Sequence, residues 1–163
     1  MITVIPALDV MKAVTDKNII SPASDTRRKS FNMANELMSL ADVNILIDGF
    51  LFEKIKVRLN EDHITFFQSA YKIDDSTKDI PDLNFNITKA IQFIAQTESK
   101  SRRVVIVTDS YQDYISIKTN RIAVMSPHDF VDKVSKAMEY NKNRLFSSLD
   151  DALMAVFYFP QFL

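Results

Sequence analysis

The chain has no cysteine, one glycine and two histidines in 163 residues, and each scarcity closes off a class of chemistry. Without cysteine there is neither a disulfide framework nor a thiolate metal site, so a reducing, cytoplasmic setting is expected. Gly49 alone cannot build a Gly-rich dinucleotide loop or a phosphate-cradling P-loop. No Gly-x-Ser-x-Gly elbow surrounds Ser110, Ser126 or Ser148, which argues against a serine hydrolase. His63 and His128 fall in different segments without metal-ligand spacing and read as surface or helix-start residues. No apolar run approaches the roughly 18 residues a spanning helix requires, and the N-terminus lacks a basic start, apolar stretch and small-residue cleavage site. Neither membrane insertion nor export is expected. A formal net charge of −1 gives no overall pull toward nucleic acid. Any phosphate-binding surface is local, with Arg27-Arg28-Lys29 and Lys100-Ser101-Arg102-Arg103 as the candidates.

What the chain does have is the balance of a packed globule, 47% hydrophobic and 25% charged, at the size of one domain. Ile2 to Leu8 reads as a strand stopping at Asp9, with Pro6 expected at an edge or a bulge because it lacks a ladder donor. Ser24 to Ala41 carries Phe31, Ala34, Leu37 and Met38 at helical spacing. Val43 to Ile47 is a short, nearly continuous apolar run closed by Asp48, as in a strand buried on both faces. Leu51, Ile55 and Leu59 then stack on a helix with Glu53 in its first turn, and Ile64, Phe67 and Tyr71 suggest more helix before an acidic loop from Asp74 to Asp82. Ile87 to Ala95 is an amphipathic helix, Arg103 to Thr108 the clearest strand, and Ile122 to Met125 a last short one. Pro127 opens a helix, and Ser148 with Asp151 resembles the capping box of a final one.

Strands alternating with helices imply an α/β fold with a mostly parallel central sheet and helices on both faces. In such sheets the working crevice lies beyond the carboxyl ends of the strands, where Asp9, Asp48 and Asp109 fall. Carboxylates gathered there repel one another unless a cation neutralises them, and all-oxygen ligands suit Mg²⁺ or Mn²⁺. Such ions activate water and stabilise charge on a phosphoryl group, which makes phosphodiester hydrolysis the chemistry to expect. The bland reading is that each aspartate caps the helix after its strand.

The order of these residues resembles the PIN-domain family of metal-dependent ribonucleases. The quoted pieces are Val4 to Asp9, then VNILIDGFLFEKIKVRL with Glu53, then VVIVTDSYQDY with Thr108, Asp109 and Asp113. SPASDTRR is similar to the family's early linker, and IAVMSPHDFVDKV to its closing strand and proline-led helix. The resemblance implies a PIN-like three-layer sandwich over residues 1–140, followed by an apolar C-terminal helix at 141–163 packed on the domain or on a partner. It further implies Mg²⁺ or Mn²⁺ held by Asp9, Glu53, Asp109 and Asp113, with Thr108 orienting a ligand and a metal-activated water cleaving single-stranded RNA. A toxin with a cognate antitoxin, or an RNA-processing factor, would be a typical setting. Three departures stand against it: Val10 and Met11 replace the family's small polar residue and Asn, Asn86 and Thr88 occupy the place of a further acid, and the Thr-Asp spacing is shifted. These favour the alternative, a catalytically inert PIN-like module binding protein or RNA. The tail from Arg144 to Leu163 is the most apolar stretch, with Leu149, Leu153, Val156 and Phe157 able to seal the sheet. Phe159, Phe162 and Leu163 exceed what one helix face buries and suit a protein partner or a homodimer.

Overall fold

The computed structural model describes residues 1–15, 21–48, 72–74 and 87–159. In chain order these form β1 (Ile2–Pro6), α1 (Leu8–Thr15), α2 (Pro22–Leu40), β2 (Val43–Asp48), β3 (Lys72–Asp74), α3 (Ile87–Glu98) and β4 (Arg103–Val107). Two 3₁₀ turns follow at Tyr111–Asp113 and Ile115–Ile117, then β5 (Ile122–Met125), α4 (Pro127–Lys142) and α5 (Leu149–Tyr158). The five strands make one sheet in the order β3-β2-β1-β4-β5, and every pairing is parallel.

The two-faced burial of the central strands explains their unbroken apolar runs. In β4, Val105 and Val107 pack toward α1, α2, α4 and α5, while Val104 and Ile106 pack toward α3 and the 3₁₀ turns. Helical layers therefore cover both faces, the α/β arrangement that the alternating pattern implies. The first layer is anchored by Phe130 of α4, fully buried and stacked on Phe157 of α5 with ring centroids 5.8 Å apart. Ala152, Leu153, Val156 and Phe157 bring α5 into that same core. Among the described residues no helix is long and apolar enough to cross a membrane.

Several local features differ from the sequence expectation. Pro6 ends a central strand rather than sitting at an edge. In the β1–β4 ladder the N–H of Ala7 donates to Val107 O at 3.0 Å, so the nitrogen of residue 6 faces β2. There the β1–β2 register ends at Val4 opposite Ile45, and the missing donor breaks no pair. The polar stretch after β1 contains helix α1, so Asp9 lies in a helical first turn. Helix α2 begins at Pro22 rather than Ser24, because Ser21 is its N-cap, accepting from Ser24 N–H at 3.1 Å with proline at the first helical position. The three-residue strand β3 was not expected, being too short to leave a period. The helix assigned to Leu51 through Leu59, with Glu53, the further helix from Ile64 to Tyr71, and residues 75–82 of the acidic loop lie outside the described residues. Helix α5 is capped as the sequence suggests, with Ser148 accepting from Asp151 N–H at 3.1 Å, and α4 opens at Pro127 with Ser126 as its cap, accepting from Asp129 N–H at 3.1 Å.

Candidate functional site

The strand order has one reversal. The chain runs outward from β1 through β2 to β3, then returns to lay β4 on the other side of β1. At this switch point the connections leave the sheet in opposite directions and open a crevice at the carboxyl ends of β1 and β4. The residues that follow those two strands are Asp9 and Thr108-Asp109.

Asp9 is the centre of a polar knot. Its Oδ1 accepts from the Thr108 hydroxyl at 3.2 Å, and its Oδ2 accepts from the Asp109 backbone N–H at 2.7 Å. Thr108, with none of its surface exposed, in turn accepts from Ser110 N–H at 2.9 Å, and its own N–H donates to Met125 O at 2.9 Å. The Asp9 carboxylate and the Thr108 hydroxyl thus join the segments that follow β1 and β4, and the Thr108 backbone N–H ties them to β5. Charge-assisted bonds of this type stabilise by about 1.5–3 kcal/mol when buried, less where water competes. The Asp109 side chain takes another direction. Its Oδ2 accepts from Arg27 Nε at 2.7 Å, an exposed ion pair reaching from α2.

Beside the knot is a pocket of about 230 Å³ whose polar lining is Asp9, Thr88, Thr108, Ser110, Asp113 and Tyr114. Asp113 arrives there through the first 3₁₀ turn, which Gln92 of α3 fastens by donating from Nε2 to Asp113 O at 2.6 Å. Tyr114 is buried, and its phenol is pushed up to about 12, first by desolvation. A hydrogen bond with Thr88 opposes that rise, while the negative charges of Asp9 and Asp113 add to it.

Of the residues singled out in the sequence, Asp9, Thr108 and Asp113 therefore share one pocket. Asp109 contributes its backbone N–H to Asp9 and its carboxylate to Arg27, and Glu53 lies outside the described residues. Among the described residues no three His, Cys, Asp or Glu side chains form a group that could hold a metal ion. The donors that are present are nonetheless hard oxygens: two carboxylates with hydroxyls beside them. Mg²⁺ commonly binds through one or two carboxylates and completes its shell with water and substrate phosphate, so the set fits such an ion. Sequence reasoning missed Tyr114 and Arg27 as neighbours of the site. Arg27 carried a signal, since it belongs to the basic cluster before Phe31, but that cluster reads as a phosphate-binding surface rather than a partner for Asp109. Four further cations of the two clusters also meet groups of this chain. Arg28 donates to Ala13 O, Lys29 pairs with Asp25, Arg102 with Glu98, and the Arg103 guanidinium lies over the Tyr158 and Phe159 rings. No protein family, no curated protein and no solved structure matches the chain.

Proposed function

We propose that the protein is a PIN-like, metal-dependent endoribonuclease that cleaves single-stranded RNA at the crevice between β1 and β4. The observation that carries this reading is the pairing of Asp9 and Asp113 on one pocket at the switch point, with Thr108 and Ser110 also in its lining. A bound Mg²⁺ or Mn²⁺ would supply Lewis acidity toward a phosphoryl oxygen and lower the pKa of a water. Asp9 and Asp113 would hold the ion, joined by Glu53 and Asp109 in the full ligand set. Thr108 keeps the Asp9 carboxylate in one orientation, because its hydroxyl donates to Oδ1 while the Asp109 N–H fixes Oδ2. The buried Tyr114 phenol stays neutral at physiological pH, hydrogen-bonded with Thr88. A cytoplasmic location and an antitoxin-like partner or second copy at the apolar C-terminal segment belong to the same reading.

A second reading has its own support. Both Asp9 oxygens already accept in-chain hydrogen bonds, and Asp109 is neutralised by Arg27, so these two carboxylates have partners without a metal ion. That favours an inert PIN-like module that binds RNA or protein. An RNA-cleavage gel with Mn²⁺, run beside thermal melts on wild type, Asp9→Asn and Asp113→Asn, separates the two. The nuclease cleaves single-stranded RNA, is stabilised by Mn²⁺, and loses both properties in each variant. Absence of cleavage and of any Mn²⁺ shift in the wild type would leave only the inert module.

A further inference from the structure

A second pocket, of about 270 Å³, borders β5, the outer strand of the sheet among the described residues. Its floor is apolar, formed by Ala123, Val124 and Met125 of β5 with Phe157 and Tyr158 at the end of α5. Lys118 and Lys133 stand at its rim. Among the described residues neither ammonium meets a carboxylate. Lys118 instead lies 5.8 Å from the Tyr111 ring centroid and 3.3 Å from its hydroxyl.

The strand register adds two directional groups. Val104 N–H donates to Arg121 O and Thr108 N–H to Met125 O, at 2.8 and 2.9 Å. A parallel ladder with those ends assigns Arg121, Ala123 and Met125 to the β4 side and turns the backbone groups of Ile122 and Val124 outward. Ile122 satisfies its own pair within a turn, donating to Thr119 Oγ1 and accepting from Thr119 N–H, both at 3.1 Å. Among the described residues no such turn bond reaches Val124. Its N–H and C=O form one donor and one acceptor side by side on the pocket's strand wall.

We propose that this pocket binds a single nucleotide, with the base over the apolar floor, its edge on the Val124 N–H and C=O, and the phosphate between Lys118 and Lys133. A planar ring with an adjacent acceptor and donor matches one such backbone pair, and bases of single-stranded RNA are recognised by stacking and edge hydrogen bonds of this kind. An added peptide strand fits less well, because it needs a row of outward pairs and Ile122 has already spent its own. The pocket is at the small end of ligand clefts, suited to one ring and its phosphate. The β4–β5 crossover contributes Ser110, Asp113 and Tyr114 to the carboxylate pocket and Lys118, Thr119 and Asn120 to this one. It therefore acts as a base subsite for the strand being cut, a role that rests on the nuclease reading, whereas nucleotide binding itself does not.

The test is an NMR titration of the ¹⁵N-labelled full chain, without metal, using UMP, AMP and inorganic phosphate. Saturable shifts of the Val124 and Ala123 amides are expected with a nucleotide, and Lys118→Ala with Lys133→Ala should weaken that binding about tenfold. In the RNA-cleavage assay the double variant should lower kcat/KM chiefly through a raised KM, since neither lysine lines the carboxylate pocket. Unperturbed Val124 and Ala123 amides at millimolar nucleotide would overturn the proposal, as would equal affinity for phosphate alone or shifts produced only by an extended peptide. Nucleotide shifts without any RNA cleavage would sink the nuclease reading and leave the binding site standing.

Discussion

The two pockets flanking the β4–β5 crossover are of similar size and opposite construction. The one at the strand ends is held open by hydrogen bonds among Asp9, Thr108, Ser110 and the Asp109 backbone, with carboxylates facing its space. The one on the β5 edge rests on aromatic core, with ammonium groups at its rim. The difference follows from position in a parallel sheet. Beyond the carboxyl ends no strand remains to pair the last backbone groups, so polar side chains must do it. Along the edge strand the ladder is intact on one side, and apolar packing of α5 against α4 supplies the stability.

The contrast is broken most severely through the aromatic floor. Phe157 is 5% exposed and stacks on the fully buried Phe130, so Phe157→Ala should cost about 3–5 kcal/mol in urea unfolding. A loss below about 1 kcal/mol would mean that α5 does not belong to the core. At the strand-end pocket the largest structural loss should come from Thr108→Val. That change keeps the shape but leaves Ser110 N–H and Asp9 Oδ1 without their partner, at a cost of about 1–3 kcal/mol. In the nuclease reading, Thr108→Val also weakens Mn²⁺ stabilisation, because Asp9 can then rotate. A variant as stable as wild type would show that water replaces the hydroxyl freely.

A smaller effect, confined to alkaline pH, comes from Tyr114. Its phenol ionises near 10 in the unfolded chain and near 12 in the fold, so folding favours the neutral form. The stability this contributes is complete below pH 10 and is lost as the pH rises from 10 through 12. Tyr158, buried with its hydroxyl donating to Val104 O at 2.8 Å, is shifted the same way by desolvation. Tyr114→Phe should therefore flatten part of the alkaline decline seen by urea unfolding, without abolishing it. Unchanged curves between pH 10 and 12 would show that Tyr114 is open to water in the folded protein.

The sequence made the sheet legible because β2, β4 and β5 are apolar on both faces, and their ends were placed within a residue. It made Asp9 and Thr108 legible through their position after β1 and β4. What it hid was set by contacts between segments remote in the chain. Asp9 and Asp109 look alike as residues ending a strand, yet one is tied to Thr108 and the other turns to Arg27, a helix residue 82 positions away. Asp113 has an ambiguous spacing because the crossover folds as 3₁₀ turns with no period, and its place at the pocket depends on that turn, closed by Asp113 N–H on Ser110 O and fastened by Gln92. The base-edge groups of Val124 are backbone atoms, which no side-chain pattern reveals.

The smallest stability effect should come from Arg27→Ala, and it sharpens the chemical comparison most. The pair with Asp109 is exposed, at 26% and 40% of the two side chains, so its loss should change unfolding stability by less than about 1 kcal/mol. Its electrostatic consequence is larger than its structural one. Removing the guanidinium leaves the Asp109 carboxylate without its cation next to Asp9, and the strand-end crevice becomes more negative. If the crevice holds a divalent ion, Arg27→Ala should tighten Mn²⁺ binding, read by calorimetry, because Asp109 is released to join the ligand set. If instead Arg27 serves to neutralise an inert crevice, the variant should be slightly less stable and should show no Mn²⁺ heat, as in the wild type. Weaker Mn²⁺ binding in Arg27→Ala would contradict both, and would mean that the Arg27 bridge is what holds Asp109 in a ligating position.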